Sequence, residues 1–81
     1  MSLTRKFTLG ASKEAEIKVS LAMVYEALEE KGYNPINQLV GYILSEDPTY
    51  ITTHKNARNI IISIDRDELL QSMLKEFLAI E

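Results

Sequence analysis

The two prolines of the chain fix where its central helices can begin. In the stretch KGYNPINQLVGYILSEDPTY, residues 31–50, Asn34 precedes Pro35 and Asp47 precedes Pro48. Proline fits the first turn of a helix, where its missing N–H loses no hydrogen bond, and asparagine or aspartate before it can cap that turn. The glycine at position 32 is suited to end the preceding helix in a left-handed conformation. These signals predict a series of short helices.

The spacing of apolar residues predicts a small all-α fold of about four helices. We expect helices over about residues 13–31, 34–45, 53–64 and 65–79, with a short turn opened by Pro48 and with Asp65 as the N-cap of the last helix. The predicted core positions recur at helical spacing: Ile17, Leu21, Val24, Tyr25, Leu28, Ile36, Leu39, Val40, Ile43, Leu44, Ala57, Ile60, Ile61, Ile64, Leu69, Leu70, Met73, Leu74, Phe77 and Leu78.

Two positions leave the local structure open. The segment from Arg58 to Ile64 is rich in β-branched residues and could be a strand, but no second run offers it a strand partner, so we predict a helix. Gly41 lies inside a predicted helix, where glycine costs about 0.5 to 1 kcal/mol relative to alanine. It indicates either the close approach of another helix or simple tolerance.

The length of the chain favours a partner subunit. With 81 residues it is one domain, near the size at which a single core becomes marginal. It contains no cysteine, which excludes disulfides and cysteine-based zinc sites. No apolar run approaches the roughly 20 residues that span a bilayer, and no signal-peptide core is apparent. We therefore expect a cytoplasmic homodimer without membrane insertion.

Charge is divided unevenly along the chain. The formal net charge is -3, yet the first 13 residues contain three basic side chains and no acidic one. We expect a flexible basic N-terminal arm over residues 1–12 and a single helical domain over residues 13–81. The acidic domain makes nucleic acid an unfavourable partner, since neutralised phosphates provide much of that affinity. A small helical nucleic-acid-binding regulator is the alternative function.

Candidates for catalysis are few. His54 is the only histidine, and although a general acid/base pair or a metal site with Asp47 can be imagined, neither has a recognised spacing. Nucleotide-binding and nucleophile motifs are absent from the sequence. The four tyrosines could stack on bases, but such residues more often close a small core. The sequence therefore predicts no enzyme, no cofactor and no metal site.

Two strings of residues resemble a known family: VYEALEEKGYNPINQLVGYILSEDPTYITTHKNARN and DRDELL. They resemble the IreB family of small regulators of Gram-positive bacteria, formerly labelled only an uncharacterised protein family. The resemblance runs from about Phe7 to Leu78. It implies a non-enzymatic homodimer that is phosphorylated by a transmembrane Ser/Thr kinase with extracellular PASTA domains. The implied process is the cell-envelope stress response, including cephalosporin resistance, with a cognate phosphatase and an unknown downstream protein as further partners.

The resemblance also implies a phosphorylation site near the N-terminus. Thr4, in the string TRKF, matches a family threonine that precedes a basic residue and phenylalanine. Thr8 is a spare candidate outside this match. The chain departs from the family at Ile62 and Ser63, where basic residues are usual, so the basic patch of the family is not reproduced here.

The central stretch contains more apolar and tyrosine side chains than one small monomer needs to bury. We therefore interpret residues 31–50 mainly as fold and dimer architecture, with partner recognition as a second role. The predicted partner or dimer interface comprises Tyr33, Asn37, Gln38, Gly41, Tyr42, Tyr50 and Asn59.

Overall fold

The described part of the chain forms a bundle of four helices with two short 3-10 turns. The computed structural model describes residues 9–80. The helices are α1 (Leu9–Glu30), α2 (Pro35–Ser45), α3 (Ala57–Ile62) and α4 (Arg66–Leu78), and the 3-10 turns at Pro48–Tyr50 and His54–Asn56 lie between α2 and α3. No strand occurs in this described range. The predicted all-α fold is confirmed, and the ambiguous third segment is helical.

Two helix starts differ from the prediction by four residues. α1 begins at Leu9, four residues earlier than expected. Residues 9–12 of the predicted arm are therefore helical, while residues 1–8 lie outside the described part of the chain. α3 is shorter than predicted, because Lys55 (φ 52°) and Asn56 (φ 65°) adopt left-handed conformations that interrupt the helical backbone before it.

The predicted caps fix the starts of α2, of the Pro48–Tyr50 turn and of α4. The Asn34 Oδ1 accepts a hydrogen bond from the N–H of Asn37 at 3.1 Å. The Asp47 Oδ1 accepts the hydroxyl of Thr49 at 2.7 Å and its N–H at 3.0 Å. These two bonds lower the pKa of Asp47 below its ordinary value. Asp65 caps α4 in the same way, so all three capping residues found in the sequence are used.

The core is built around α1, which contacts each of the other three helices. The buried apolar residues of the core are Ile17, Val24, Ala27, Leu28, Tyr42, Ile51, Ala57, Ile61 and Leu69. Five of these are large and fully closed from solvent: Leu28, Ile51, Ile61, Leu69 and Val24. Each such side chain stabilises the fold by about 1.5–3 kcal/mol, so a core of this size leaves the isolated chain marginally stable.

Gly41 allows the ring of Tyr50 to pack directly on α2. A β-carbon at position 41 would lie 2.6 Å from Cδ1 and 2.9 Å from Cζ of that ring, well inside van der Waals contact. Gln38 fixes the same turn by donating its side-chain N–H to the Tyr50 carbonyl oxygen at 2.8 Å. The close neighbour of Gly41 is therefore a tyrosine on a 3-10 turn and not another helix.

We expect Gly41→Ala to destabilise the fold by about 1 kcal/mol, although alanine is the better helix former by a similar amount, because the added carbon displaces the Tyr50 ring. The larger Gly41→Leu should cost more. In a Tyr50→Ala background, Gly41→Ala should instead be neutral or stabilising. Urea unfolding of the single and double variants measures both effects, and an equal effect in the two backgrounds would contradict this packing.

Glu30 joins the end of α1 to the left-handed residues before α3. Its carboxylate accepts hydrogen bonds from His54 Nε2 at 2.7 Å and Lys55 Nζ at 3.1 Å. These bonds, with that from His54 the larger effect, lower the pKa of Glu30 below its ordinary 4.5. The Glu30 carboxyl group therefore binds its proton more tightly in the unfolded chain than in the folded one. The contact stabilises the fold above pH 4.5, and its contribution is lost as the pH falls through the lowered pKa.

Glu30→Gln should accordingly lower the melting temperature at pH 7, and its difference from the native chain should shrink as the pH falls through the lowered pKa of Glu30, where the native carboxylate takes up a proton. The effect at pH 7 should be modest, because the contact is exposed to solvent. Glu29→Gln is the matched control, since no ion pair within the described residues involves Glu29. A difference between Glu30→Gln and the native chain that persists undiminished at pH 3 would contradict this account.

Candidate interaction surface

An open apolar groove of about 760 Å³ lies between α1 and α2, and we call it the α1–α2 groove. Its apolar lining comprises Val19, Leu21, Ala22, Met23, Tyr25, Ile36, Leu39, Val40, Ile43 and Met73. Its charged lining comprises Lys18, Glu26 and Glu29. A concave, mainly apolar surface that is open to solvent is typical of a binding site.

The groove exists because α1 is apolar on two sides. One side packs into the core. On another side, Val19 and Met23 lie one turn apart and remain 60% and 50% exposed. Across from them, Ile36 and Val40 lie one turn apart on α2 and remain 57% and 48% exposed. Two rows of apolar side chains thus face solvent with no layer above them in the described part of the chain.

The predicted core was too large. Nine of its positions are exposed: Tyr25, Ile36, Val40, Leu44, Leu70, Met73, Leu74, Phe77 and Leu78. Helical spacing identifies an apolar face of a helix, but it does not show whether another element of the same chain covers that face. Most of these side chains line the groove or project from α4.

The α4 ridge consists of Leu70, Leu74, Phe77 and Leu78, all exposed. Phe77 is 87% exposed, which is exceptional for a phenylalanine. The only α4 side chain that is buried is Leu69. The helix therefore turns most of its apolar surface away from its own chain.

Ion pairs supply much of the remaining contact between α4 and α1. They join Lys13 to Glu68 at 3.2 Å, Lys18 to Glu76 at 3.0 Å and Lys75 to Glu14 at 3.1 Å. All of these side chains are substantially exposed, and an exposed pair contributes at most about 1 kcal/mol. α4 is consequently held only weakly by its own chain.

Four of the seven predicted interface residues build the fold itself. Tyr42 is buried in the core. The ring of Tyr50 packs on Gly41, and Gln38 donates a hydrogen bond to the carbonyl oxygen of the same tyrosine. Tyr50 keeps one face exposed, and Gln38 and Gly41 are partly exposed beside it. The tight spacing of these residues in the sequence reflects packing within one chain.

The other three predicted interface residues lie at the surface but away from the groove. Tyr33 and Asn37 are exposed, and Asn59 donates its side-chain N–H to Asn56 Oδ1 at 2.8 Å. None of the three lines the α1–α2 groove. The sequence did contain a signal for the groove. Val19 and Met23 are apolar residues one turn apart on α1, yet they do not belong to the predicted core of that helix.

The remaining candidate residues are Thr4, Thr8 and His54. Thr4 and Thr8 lie outside the described residues. His54 is engaged with Glu30. Within residues 9–80, no group of three or more histidine, aspartate or glutamate side chains is placed to hold a metal ion. None of the helices in that range combines the length and apolar character needed to cross a bilayer.

Comparison with known proteins identifies the family. A family model described as IreB regulatory phosphoprotein matches residues 2–79. The chain belongs to the IreB family. A relative from Ruminiclostridium cellulolyticum, a UPF0297 protein, is 59% identical over 75 residues, which are 93% of this chain and 85% of the relative. The family match spans all four helices and therefore includes both the groove and the α4 ridge.

Membership of the IreB family confirms the predicted resemblance and indicates a regulatory role. The family is one of regulatory phosphoproteins and is not a known enzyme family. A regulatory protein of this kind acts through what it binds, and two apolar surfaces are left uncovered by the part of the chain that the structure describes.

Proposed function

We propose that the chain is a non-enzymatic regulator that acts by protein–protein interaction and is a substrate of a PASTA-type Ser/Thr kinase. The observation that carries this proposal is the pair of uncovered apolar surfaces on a member of a phosphoprotein family. The process we assign is the cell-envelope stress response, including cephalosporin resistance. The kinase, its cognate phosphatase and a downstream protein would meet the chain in the cytoplasm.

The α4 ridge favours a second copy of the chain as a permanent partner. A helix of 13 residues that buries one side chain gains little from its own fold, and short helices are marginal in water without tertiary packing. A second copy is present wherever the first is. A two-fold homodimer that covers the α4 ridge of both copies would complete the small core of each chain.

The native chain should therefore sediment as a dimer at micromolar concentration. Leu74→Lys should shift it towards a monomer and lower its melting temperature, because an ammonium group would be buried in the interface. Gln71→Lys is the matched control: it is exposed on the same helix but outside the α4 ridge, and it should leave the dimer intact. A native chain that sediments as a folded monomer would exclude the homodimer.

We propose Thr4 as the phosphoacceptor, with Thr8 as the spare candidate. Lys13 already pairs with Glu68, so Arg5 and Lys6 provide the other positive side chains of the N-terminal region. A phosphate adds about -1.5 to -2 at neutral pH and would nearly cancel those two charges. Attraction between this region and the acidic domain would then weaken, while the helices stay folded.

Incubation with the cognate PASTA kinase, followed by mass mapping, should place one phosphate on Thr4. Thr4→Ala should abolish the modification, and Thr8→Ala should leave it intact. Circular dichroism of the modified chain should retain the full helical signal. Robust phosphorylation that persists in Thr4→Ala, at Thr8 or within the helices, would reject the assignment.

A further inference from the structure

The α1–α2 groove differs from the α4 ridge because the fold does not need it to be covered. α1 is anchored by Val24 and Leu28, and α2 by Tyr42, all of them buried in one core cluster. The Asn34 cap fixes the start of α2. The groove therefore has its shape before a partner arrives. A preformed apolar surface suits a partner that binds and leaves, because little conformational entropy is lost on binding.

The dimensions of the groove fit one short helix. Ten residues of α1 separate Val19 from Glu29, which is about 15 Å of helix and matches about three turns of a partner. On each wall the exposed apolar residues lie four positions apart in the sequence, which is the spacing of a ridge on a helix surface. Side chains at positions i, i+4 and i+7 of a third helix would enter between the two rows.

Charge selects the kind of helix. Glu26 and Glu29 are exposed in the groove lining, and no ion pair within the described residues involves them. Lys18 lies in the part of the lining nearer the α1 N-terminus and is neutralised by Glu76 at 3.0 Å. α2 contains no charged residue. One end of the groove is therefore acidic, and it attracts basic side chains and the positive N-terminal end of a helix.

We propose that the α1–α2 groove is the docking site for an amphipathic, basic α-helix of about three turns in a partner protein. Its apolar side faces Met23 and Val40, and its basic N-terminal end lies beside Glu26 and Glu29. Met23 and Met73 contribute flexible thioether side chains that adapt to different apolar partners. This inference rests on the proposed function and specifies the chemistry of the downstream protein.

The probe is a fluorescein-labelled synthetic helix of about eleven residues, or three turns, with leucines at helical spacing and lysines on the other face. A matched peptide has glutamate in place of every lysine. Anisotropy titration with the full, unphosphorylated chain should show the basic peptide binding at least about tenfold more tightly than the acidic one. Equal affinity for the two peptides would overturn the proposal.

Variants of α2 locate the site. Val40→Lys should weaken binding of the basic peptide at least about tenfold, by placing a charge among the apolar contacts. Leu44→Lys is the matched control, since Leu44 is one turn further along α2, more exposed and outside the groove lining. Ile36→Lys provides a second test should Val40→Lys fail to fold. Unchanged affinity in a folded Val40→Lys or Ile36→Lys variant would overturn the proposal.

Charge reversal tests the orientation of the charges. The double variant Glu26→Lys with Glu29→Lys replaces two exposed side chains and should keep the native melting temperature. It should invert the preference, so that the acidic peptide becomes the tighter ligand. Retention of the original preference would show that these carboxylates do not select the partner, and would overturn the proposal.

Two other occupants of the groove are outcomes of the same experiments. If Val40→Lys converts a native dimer into a monomer, the groove is an interface between copies and the proposal is overturned. If removal of residues 1–8 raises the affinity for the basic peptide tenfold or more, the N-terminal segment occupies the groove and the proposal is likewise overturned. Neither experiment uses the kinase, so failure of Thr4 phosphorylation and failure of groove binding remain distinguishable.

Discussion

The packing of α1 on the shorter helices governs the rest of the structure. α1 has 22 residues and is about 33 Å long, close to the 38 Å greatest extent of the molecule. α2, α3 and α4 have 11, 6 and 13 residues, so none of them can cover α1 along its length. The core forms where α3 meets α1, and the surfaces of α1 beyond that contact stay open. The groove is a direct consequence of this difference in length.

Local chemistry was predictable from the sequence, whereas burial was only partly so. Asn34, Asp47 and Asp65 cap their elements as predicted, because a cap depends on a few neighbouring residues. The left-handed conformation of Lys55 carries no comparable signal, since lysine rarely adopts it, and together with that of Asn56 it shortens α3. The exposed positions on α2 and α4 were predicted as core, because a periodic pattern does not report how much covering surface an 81-residue chain can supply.

In the candidate site, too, local features were predictable from the sequence and the exposed surface was not. Gly41 and the tyrosines of residues 31–50 were predicted to form a partner or dimer interface. In the structure, Gly41 and Tyr50 hold a 3-10 turn against α2. The groove takes its exposed rows from Val19 and Met23 as well as from α2, and only a contact between two helices distant in sequence reveals it. The family resemblance, by contrast, was carried by long specific strings and was confirmed over nearly the whole chain. The homodimer stays a prediction.

α4 combines several exposed ion pairs with a single buried side chain, Leu69. Four of the six ion pairs in the described residues involve α4: Lys13–Glu68, Lys18–Glu76, Glu14–Lys75 and Glu46–Arg66. Dissolved ions screen exposed charges over about 8–10 Å at physiological ionic strength, but they leave apolar packing almost untouched. Rising ionic strength should therefore weaken the ion pairs of α4 and leave the apolar packing around α1 and α3 almost unchanged. The attachment of the helix that contains Phe77 should consequently depend on the salt concentration of its surroundings.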